Sequence, residues 1–155
     1  MYNHAPEGYE CHFCRIVNGL ENEGWNCQSD VFWRTEHILA MVNTRWWVRN
    51  PGHAIIIPIR HIENIYDLTP DIAVHVYEAA RQVAIAFKQI YDCDGTSIRQ
   101  HNEPAGYQEV FHFHLHVFPR YHGDQLYEKH HEHRITTREE RLPYAEKLRK
   151  YFKGI

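Results

Sequence analysis

Three histidines in strict alternation, His112, His114 and His116, are the residues of this chain best suited to chemistry. They lie in Val110-Phe111-His112-Phe113-His114-Leu115-His116-Val117-Phe118. Successive side chains of a β-strand point to opposite faces, so the three imidazoles share one face while Phe111, Phe113, Leu115 and Val117 share the other. Same-face neighbours stand about 7 Å apart along a strand. Adjacent rings can therefore interact, whereas the outer two cannot both touch one small atom unless the strand bends. Imidazole serves as a covalent nucleophile when a hydrogen bond at one ring nitrogen leaves the lone pair of the other free. It is equally a zinc ligand, and His-x-His on a strand supplies two ligands of a catalytic zinc that takes its third from elsewhere. A solvated strand face needs no such run of identical ionisable groups. The spacing alone does not separate nucleophile from ligand.

A second reactive pattern is Cys11-His12-Phe13-Cys14, whose two thiols have the spacing of a structural zinc site but are incomplete on their own. His12 is expected to point away from it. Cys27 and Cys93 have no evident partners and read as ordinary small residues. The tail segment His130-His131-Glu132-His133, with His122 and Asp124 nearby, reads as a flexible solvated stretch rather than a metal site.

The elements that must position these groups follow from patterning. A chain of 155 residues fits one domain, 1–155, able to bury its own core. Ile38–Val42 reads as a strand, Trp46–Gly52 as a connecting loop turning at Asn50-Pro51-Gly52, and Ala54–Ile59 as a buried β-branched strand. Thr69 as N-cap, Pro70 at the first helical position and Asp71 in the first turn open a helix over 70–91, with Ile72, Val76, Ala79, Ala80, Val83, Phe87 and Ile90 at helical spacing. Asp94-Gly95 turns into a strand over Thr96–Gln100, the histidine strand spans Val110–Phe118, and a last helix spans Tyr144–Phe152 after Pro143. Residues 1–30 read as irregular. The class is α+β: an antiparallel sheet of about five strands with the long helix and the C-terminal helix packed on it.

Net charge of −3 argues against the clustered basic surface that duplex nucleic acid requires, although a local pocket can still be positive. The longest apolar run, Ala54–Ile59, is strand-sized, so no membrane span is expected. The N-terminus shows no basic region followed by an apolar stretch, which makes the cytoplasm the expected compartment.

The segment Ala105-Gly106-Tyr107-Gln108-Glu109-Val110-Phe111-His112-Phe113-His114-Leu115-His116-Val117-Phe118-Pro119-Arg120 resembles the signature of the histidine triad (HIT) family: Ala-Gly-Gln, a hydrophobic residue, alternating histidines, then Pro-Arg. The resemblance extends over about residues 10–125 through Cys11-x-x-Cys14-x-Ile16, Pro51-Gly52-His53 and Ile57-Pro58-Ile59-Arg60-His61; residues 122–155 form a polar, histidine-rich extension outside it. It implies that His114 is a nucleophile attacking the α-phosphorus of a nucleotide to form a nucleotidyl-histidine that water hydrolyses. His116 would contact the non-bridging phosphate oxygens, and His53 would sit behind the triad and fix ring orientation. Asn43 would hold the ribose hydroxyls, Gln100 would lie near the bridging oxygen, and Gln108 would contact phosphate. Cys11, Cys14, His61 and His112 would close a structural zinc site, giving His112 a task distinct from the other two.

Asn43 and Gln100 are similar to the fragile-histidine-triad branch, which cleaves dinucleoside polyphosphates, and this is the expected activity: nucleotide hydrolase or nucleotidyltransferase, with no organic cofactor. A nucleoside phosphoramidase of the same family, a zinc-dependent hydrolase using the triad as ligands and a nucleotide-binding module without useful turnover are the alternatives. The resemblance also implies a homodimer formed through the long helix and an adjacent strand. Two departures stand out. Tyr107 is inserted between Gly106 and Gln108, and the stretch Asn43–His53 carries Trp46 and Trp47, which either stack on a base or pack at a dimer surface.

Overall fold

β2 (Ile38–Val42) and β4 (Ala54–Pro58) are buried along their whole lengths in the computed structural model, which describes residues 2–154. A strand covered on both faces reads as a continuous apolar run, which is what Ile-Leu-Ala-Met-Val and Ala-Ile-Ile-Ile are. They pair antiparallel from Ile38↔Pro58 to Val42↔Ala54. Around them forms a five-stranded antiparallel sheet in the order β1-β2-β4-β6-β5, with β1 at Val31–Arg34, β5 at Gly95–Gln100 and β6 at Leu115–Arg120.

One face, carrying Ala40, Val42, Ala54, Ile56, Leu115 and Val117, packs against helix α2 (Pro70–Ile90) and helix α3 (Arg138–Phe152). α2 turns Val76, Ala79, Ala80, Val83 and Phe87 inward at the predicted spacing, although Thr69 makes no side-chain capping bond. The opposite face carries Leu39, Met41, Ile55 and Ile57, covered by Phe13 and Ile16 of a short helix α1 (His12–Val17) and by Val110. The site lies on this second face.

Four local expectations are corrected. The first thirty residues are not irregular throughout: α1 forms with Cys11 Sγ accepting the Cys14 amide, and a single 3-10 turn at Gln28–Asp30 leads into β1. The C-terminal helix starts at Arg138 and contains Pro143. A capping box sets that start, with Thr137 Oγ1 accepting from the Glu140 amide and the Glu140 carboxylate accepting from the Thr137 amide. The buried pair Arg141 Nε–Asp30 Oδ1, 2.8 Å, then ties α3 to the turn before β1.

The loop expected at Trp46–Gly52 instead begins inside strand β3 (Arg45–Trp47), which pairs with β7 (His133–Ile135) from the tail; that tail is solvent-exposed as expected but not a free segment. Finally, the histidine strand begins at Leu115, not Val110, so only His116 of the three lies in regular sheet. The partner strand explains this. Pairing with β4 runs Ala54↔Val117, Ile55↔His116 and Ile56↔Leu115, and continuing it would bring in Pro58, which has no N–H to offer. The chain leaves the ladder there, the His112 amide bonding Val110 O and the Phe113 amide bonding Ile62 O.

Candidate functional site

His114 is nearly fully buried, and its Nδ1 lies 2.7 Å from the backbone oxygen of His112. A carbonyl only accepts, so Nδ1 carries the proton and the Nε2 lone pair is left on the cavity side, with no partner among the described residues. Burial depresses the pKa of His114, and His101 nearby lowers it further, against the opposing pull of the His112 carbonyl and Glu109. The ring is therefore neutral at pH 7. His116 packs edge-on against it with centroids 5.1 Å apart and is held well below the ordinary histidine range by burial, then by His114, His53, His101 and Arg99. Its Nδ1 is buried without a partner. Behind His116 stands His53, stacked on Phe118 at 4.3 Å, with Nε2 2.9 Å from Asn43 Nδ2. Thr44 N donates to Asn43 Oδ1, which fixes the amide's orientation, so Asn43 Nδ2 donates to His53.

The second ring of chemistry is at His112. Its Nε2 donates to Pro58 O at 3.0 Å, which sends Nδ1 toward Cys11 Sγ at 3.4 Å and Cys14 Sγ at 3.6 Å. His61 Nδ1 is 3.3 Å from Cys14 Sγ, and the four ligand atoms all lie within 4.8 Å of one another. Zinc–ligand bonds of about 2.0–2.3 Å imply tetrahedral edges of about 3.5 Å, so this set is close to the size of a zinc site. The Pro58 carbonyl supplies the outer hydrogen bond that orients a metal-binding imidazole. Burial and the neighbouring Cys11 thiol push Cys14 up to about 12. The triad is thus split: His112 faces the cysteines, while His114 and His116 face a cavity of about 410 Å³, within the size range of small-molecule sites.

The family model for the HIT domain matches residues 26–123. Over 111 residues the chain is 32% identical to protein hit of Bacillus subtilis (strain 168), covering 72% of this chain and 71% of that one. The chain belongs to the HIT domain family. The fold of this HIT protein is similar to the crystal structure of a Zn-bound histidine triad family protein from Mycobacterium smegmatis, with a TM-score of 0.75 at 27% identity over 94% of each chain. It is also 31% identical over 104 residues to a bis(5'-adenosyl)-triphosphatase of Saccharomyces cerevisiae (strain YJM789), spanning 64% of this chain and 50% of that enzyme. The relatives thus include diadenosine polyphosphate hydrolases.

Of the residues expected to meet substrate, Asn43, His114 and His116 line the cavity of this HIT protein and His53 sits just behind it. The two glutamines do not line it. Gln100 pairs with Leu115 on the helix-covered face of the sheet and is spent on Asn102 and the His101 carbonyl. Strand alternation puts its neighbours Arg99 and His101 on the site face instead. Gln108 is buried, accepting from Glu103 N and donating to Glu63 O and Val110 O. Both glutamines brace the loop from 101 to 108, where His101 Nδ1 also binds Gly106 O at 2.7 Å.

The two tryptophans separate. Trp46 is core, edge-on to Tyr144, while Trp47 lines the cavity and donates its Nε1 proton to His130 O. The remaining cavity wall was not foreseen: Arg45, Arg99, His101, Tyr127, His130 and His133. Nothing local to 127–133 marked it, because only the pairing of β7 with β3 carries the tail there.

Burial, with the charge of Arg99 adding, lowers the pKa of His53 to about 3, against about 6.5 in an unfolded chain. A depressed folded-state value means that the unfolded chain takes up the proton first. Stability is therefore complete above about pH 6.5 and is lost as the pH falls from there toward 3, at up to about 1.4 kcal/mol per pH unit for this group. Urea unfolding of wild type and His53→Gln at about pH 7 and pH 5.5 checks this. The variant should lose part of the pH dependence, and equal slopes would show that His53 titrates normally in the fold.

Proposed function

We propose that this HIT protein is a nucleotide hydrolase or nucleotidyltransferase that cleaves at the α-phosphate of dinucleoside polyphosphates or related nucleotides through a covalent nucleotidyl-His114. The observation that carries the reading is the His114 Nδ1–His112 O hydrogen bond in a buried, neutral ring, which leaves one lone pair pointed at the cavity. In the proposed reaction Nε2 attacks the α-phosphorus, and the P–O bond to the leaving phosphate breaks with its electron pair. Water then attacks the same phosphorus, the P–N bond breaks with its electron pair returning to Nε2, and a nucleoside monophosphate and one proton are released. The neutral ring needs no proton removed before it attacks.

His116, on the cavity wall beside His114, would face the phosphate oxygens, and His53 would hold that ring from behind. Asn43 would offer a ribose hydroxyl the second proton of its amide, which is not used in the bond to His53, while its Oδ1 already accepts from Thr44 N and, at 3.5 Å, from Thr44 Oγ1. His114→Asn should fold normally and lose about 10⁴-fold or more in kcat on diadenosine triphosphate. Rapid acid-free quenching of wild type should capture a protein heavier by one adenylyl group, absent from the variant. Full activity in His114→Asn excludes the nucleophile role.

Cys11, Cys14, His61 and His112 are the proposed ligands of a structural zinc. Four protein ligands leave no open position for a substrate, so a bound ion would pin α1 to the β4 end of the sheet rather than take part in bond-breaking. Purified protein should carry one zinc per chain, and Cys14→Ser should release it and lower Tm by roughly 5–10 °C, the shift that about 2–3 kcal/mol produces at this chain length. Metal retained at full occupancy in the variant counts against this ligand set.

A homodimer is also proposed, through α2 and the edge strand β5, where Val74, Tyr77 and Ile98 are exposed apolar residues on the outer border of the sheet. Sedimentation velocity should give twice the chain mass, and Tyr77→Glu with Ile98→Lys should give a monomer. A wild-type monomer at micromolar concentration contradicts it.

A further inference from the structure

We propose that Arg99 binds the phosphate on the leaving-group side of the substrate, so that an anionic phosphate leaving group is what this site selects. The inference rests on the nucleotidyl-His114 reading and specifies its substrate class. Arg99 is the direct cross-strand partner of His116, and on the other side of His116 the partner is Ile55. Opposed residues in an antiparallel pair share a face with their side chains adjacent. The row Ile55–His116–Arg99 therefore crosses the floor of the cavity with an apolar end and a cationic end, and the reacting phosphorus stands beside its middle. A nucleoside suits the end formed by Ile55, Phe13 and Val110. The group joined to the α-phosphate through the bridging oxygen falls toward Arg99.

The guanidinium is held in place but not satisfied. It lies 4.9 Å from the Phe118 ring centre and 5.4 Å from those of Trp47 and Tyr127, three aromatic faces that fix a cation without neutralising it. Among the described residues it has no carboxylate and no hydrogen-bond partner. The other arginine of the cavity differs: Arg45 is paired with both oxygens of Glu109, at 2.9 and 2.8 Å. Arg120 is likewise bound to Asp124. Five N–H donors on a half-buried cation are costly to leave unpaired, and a phosphate is the ligand whose geometry a guanidinium matches with two parallel bonds. Desolvation already weakens the hold of Arg99 on its proton, the sign of a cation short of counter-charge. A neutral amine leaving group, as in a phosphoramidate, would leave those donors bare and gain nothing from them.

The test compares AMP with its α,β-methylene diphosphate analogue by calorimetry, because this pair differs by one phosphate and undergoes no cleavage at the bridge. Wild type should bind the diphosphate analogue about 10- to 100-fold more tightly, the contribution expected of charge-assisted hydrogen bonds. Arg99→Gln should abolish that preference while changing AMP affinity by less than about threefold, and Arg99→Lys, which keeps the charge, should restore part of it. In turnover, Arg99→Gln should lower kcat/KM for diadenosine triphosphate by about 10²-fold and leave an adenosine phosphoramidate with a neutral amine nearly unaffected. No diphosphate preference in wild type, a preference that survives Arg99→Gln, or equal losses on both ligands each overturns the proposal. If wild type turns over no nucleotide, the nucleotidyl-His114 reading fails, and the binding comparison still decides the role of Arg99.

Discussion

His112 is the residue on which the two halves of the site depend. Its ring donates Nε2–H to the Pro58 carbonyl and so commits Nδ1 to Cys11 and Cys14, while its backbone oxygen fixes the proton of His114. One residue thereby sets the tautomers of two imidazoles by two different hydrogen bonds. Both follow from a single break in the sheet. If β6 continued its pairing past Leu115, the three histidines would project side by side from one face. Because Pro58 offers no N–H, the chain departs from the ladder, and the His112 ring can turn to the cysteines while its carbonyl turns to His114. What reads as a triad along the sequence is two neighbouring groups of different chemistry.

The electrostatics of the cavity come from withholding water rather than from opposing charges. His53, His114 and His116 are all kept neutral chiefly by burial, and the charge of Arg99 adds to this at His53 and His116. A neutral imidazole beside a cation suffers little repulsion, so Arg99 can sit one strand away from His116 without a carboxylate between them. Glu109 is the acid on the cavity wall, and its pairing with Arg45 keeps it from cancelling that field. The result is a locally positive pocket in a protein whose net charge is −3.

How much of this was legible in the sequence depends on how local each determinant is. The continuous apolar runs of β2 and β4 and the 3.6-residue spacing of α2 are local, and their bounds were read to within a residue or so. The start of α3 is also locally encoded: Thr137-Arg138-Glu139-Glu140 is a capping box that opens the helix at Arg138, six residues before Tyr144, the start that Pro143 suggests. The ligand set Cys11, Cys14, His61 and His112 came from family resemblance, and the fold brings those four together. The place of Gln100 depends on strand parity, which only the pairing of β5 with β6 fixes: opposite Leu115 it takes the helix-covered face, and a shift of one residue exchanges the two faces. The start of β6 was set by a proline on another strand, which no reading of 110–118 alone could supply.

The least legible part is the wall that makes this cavity its own. The family match ends at residue 123, yet Tyr127, His130, His133 and Ile135 line the cavity beyond it. They are carried there by three backbone pairs, Arg45↔Ile135, Trp46↔Arg134 and Trp47↔His133, and by the Trp47 indole bonding His130 O. Trp46 anchors the near strand by burying its ring against Tyr144 of α3, so β3 is packed on the C-terminal helix and carries the exposed histidine-rich tail through β7. His114 and His116 belong to the part matched by the family model, and the aromatic cage around Arg99 draws Tyr127 from the part outside it. The cavity is thus built from both parts: Arg99, Trp47 and Phe118 lie inside the family match, and Tyr127, His130, His133 and Ile135 complete its wall from outside it.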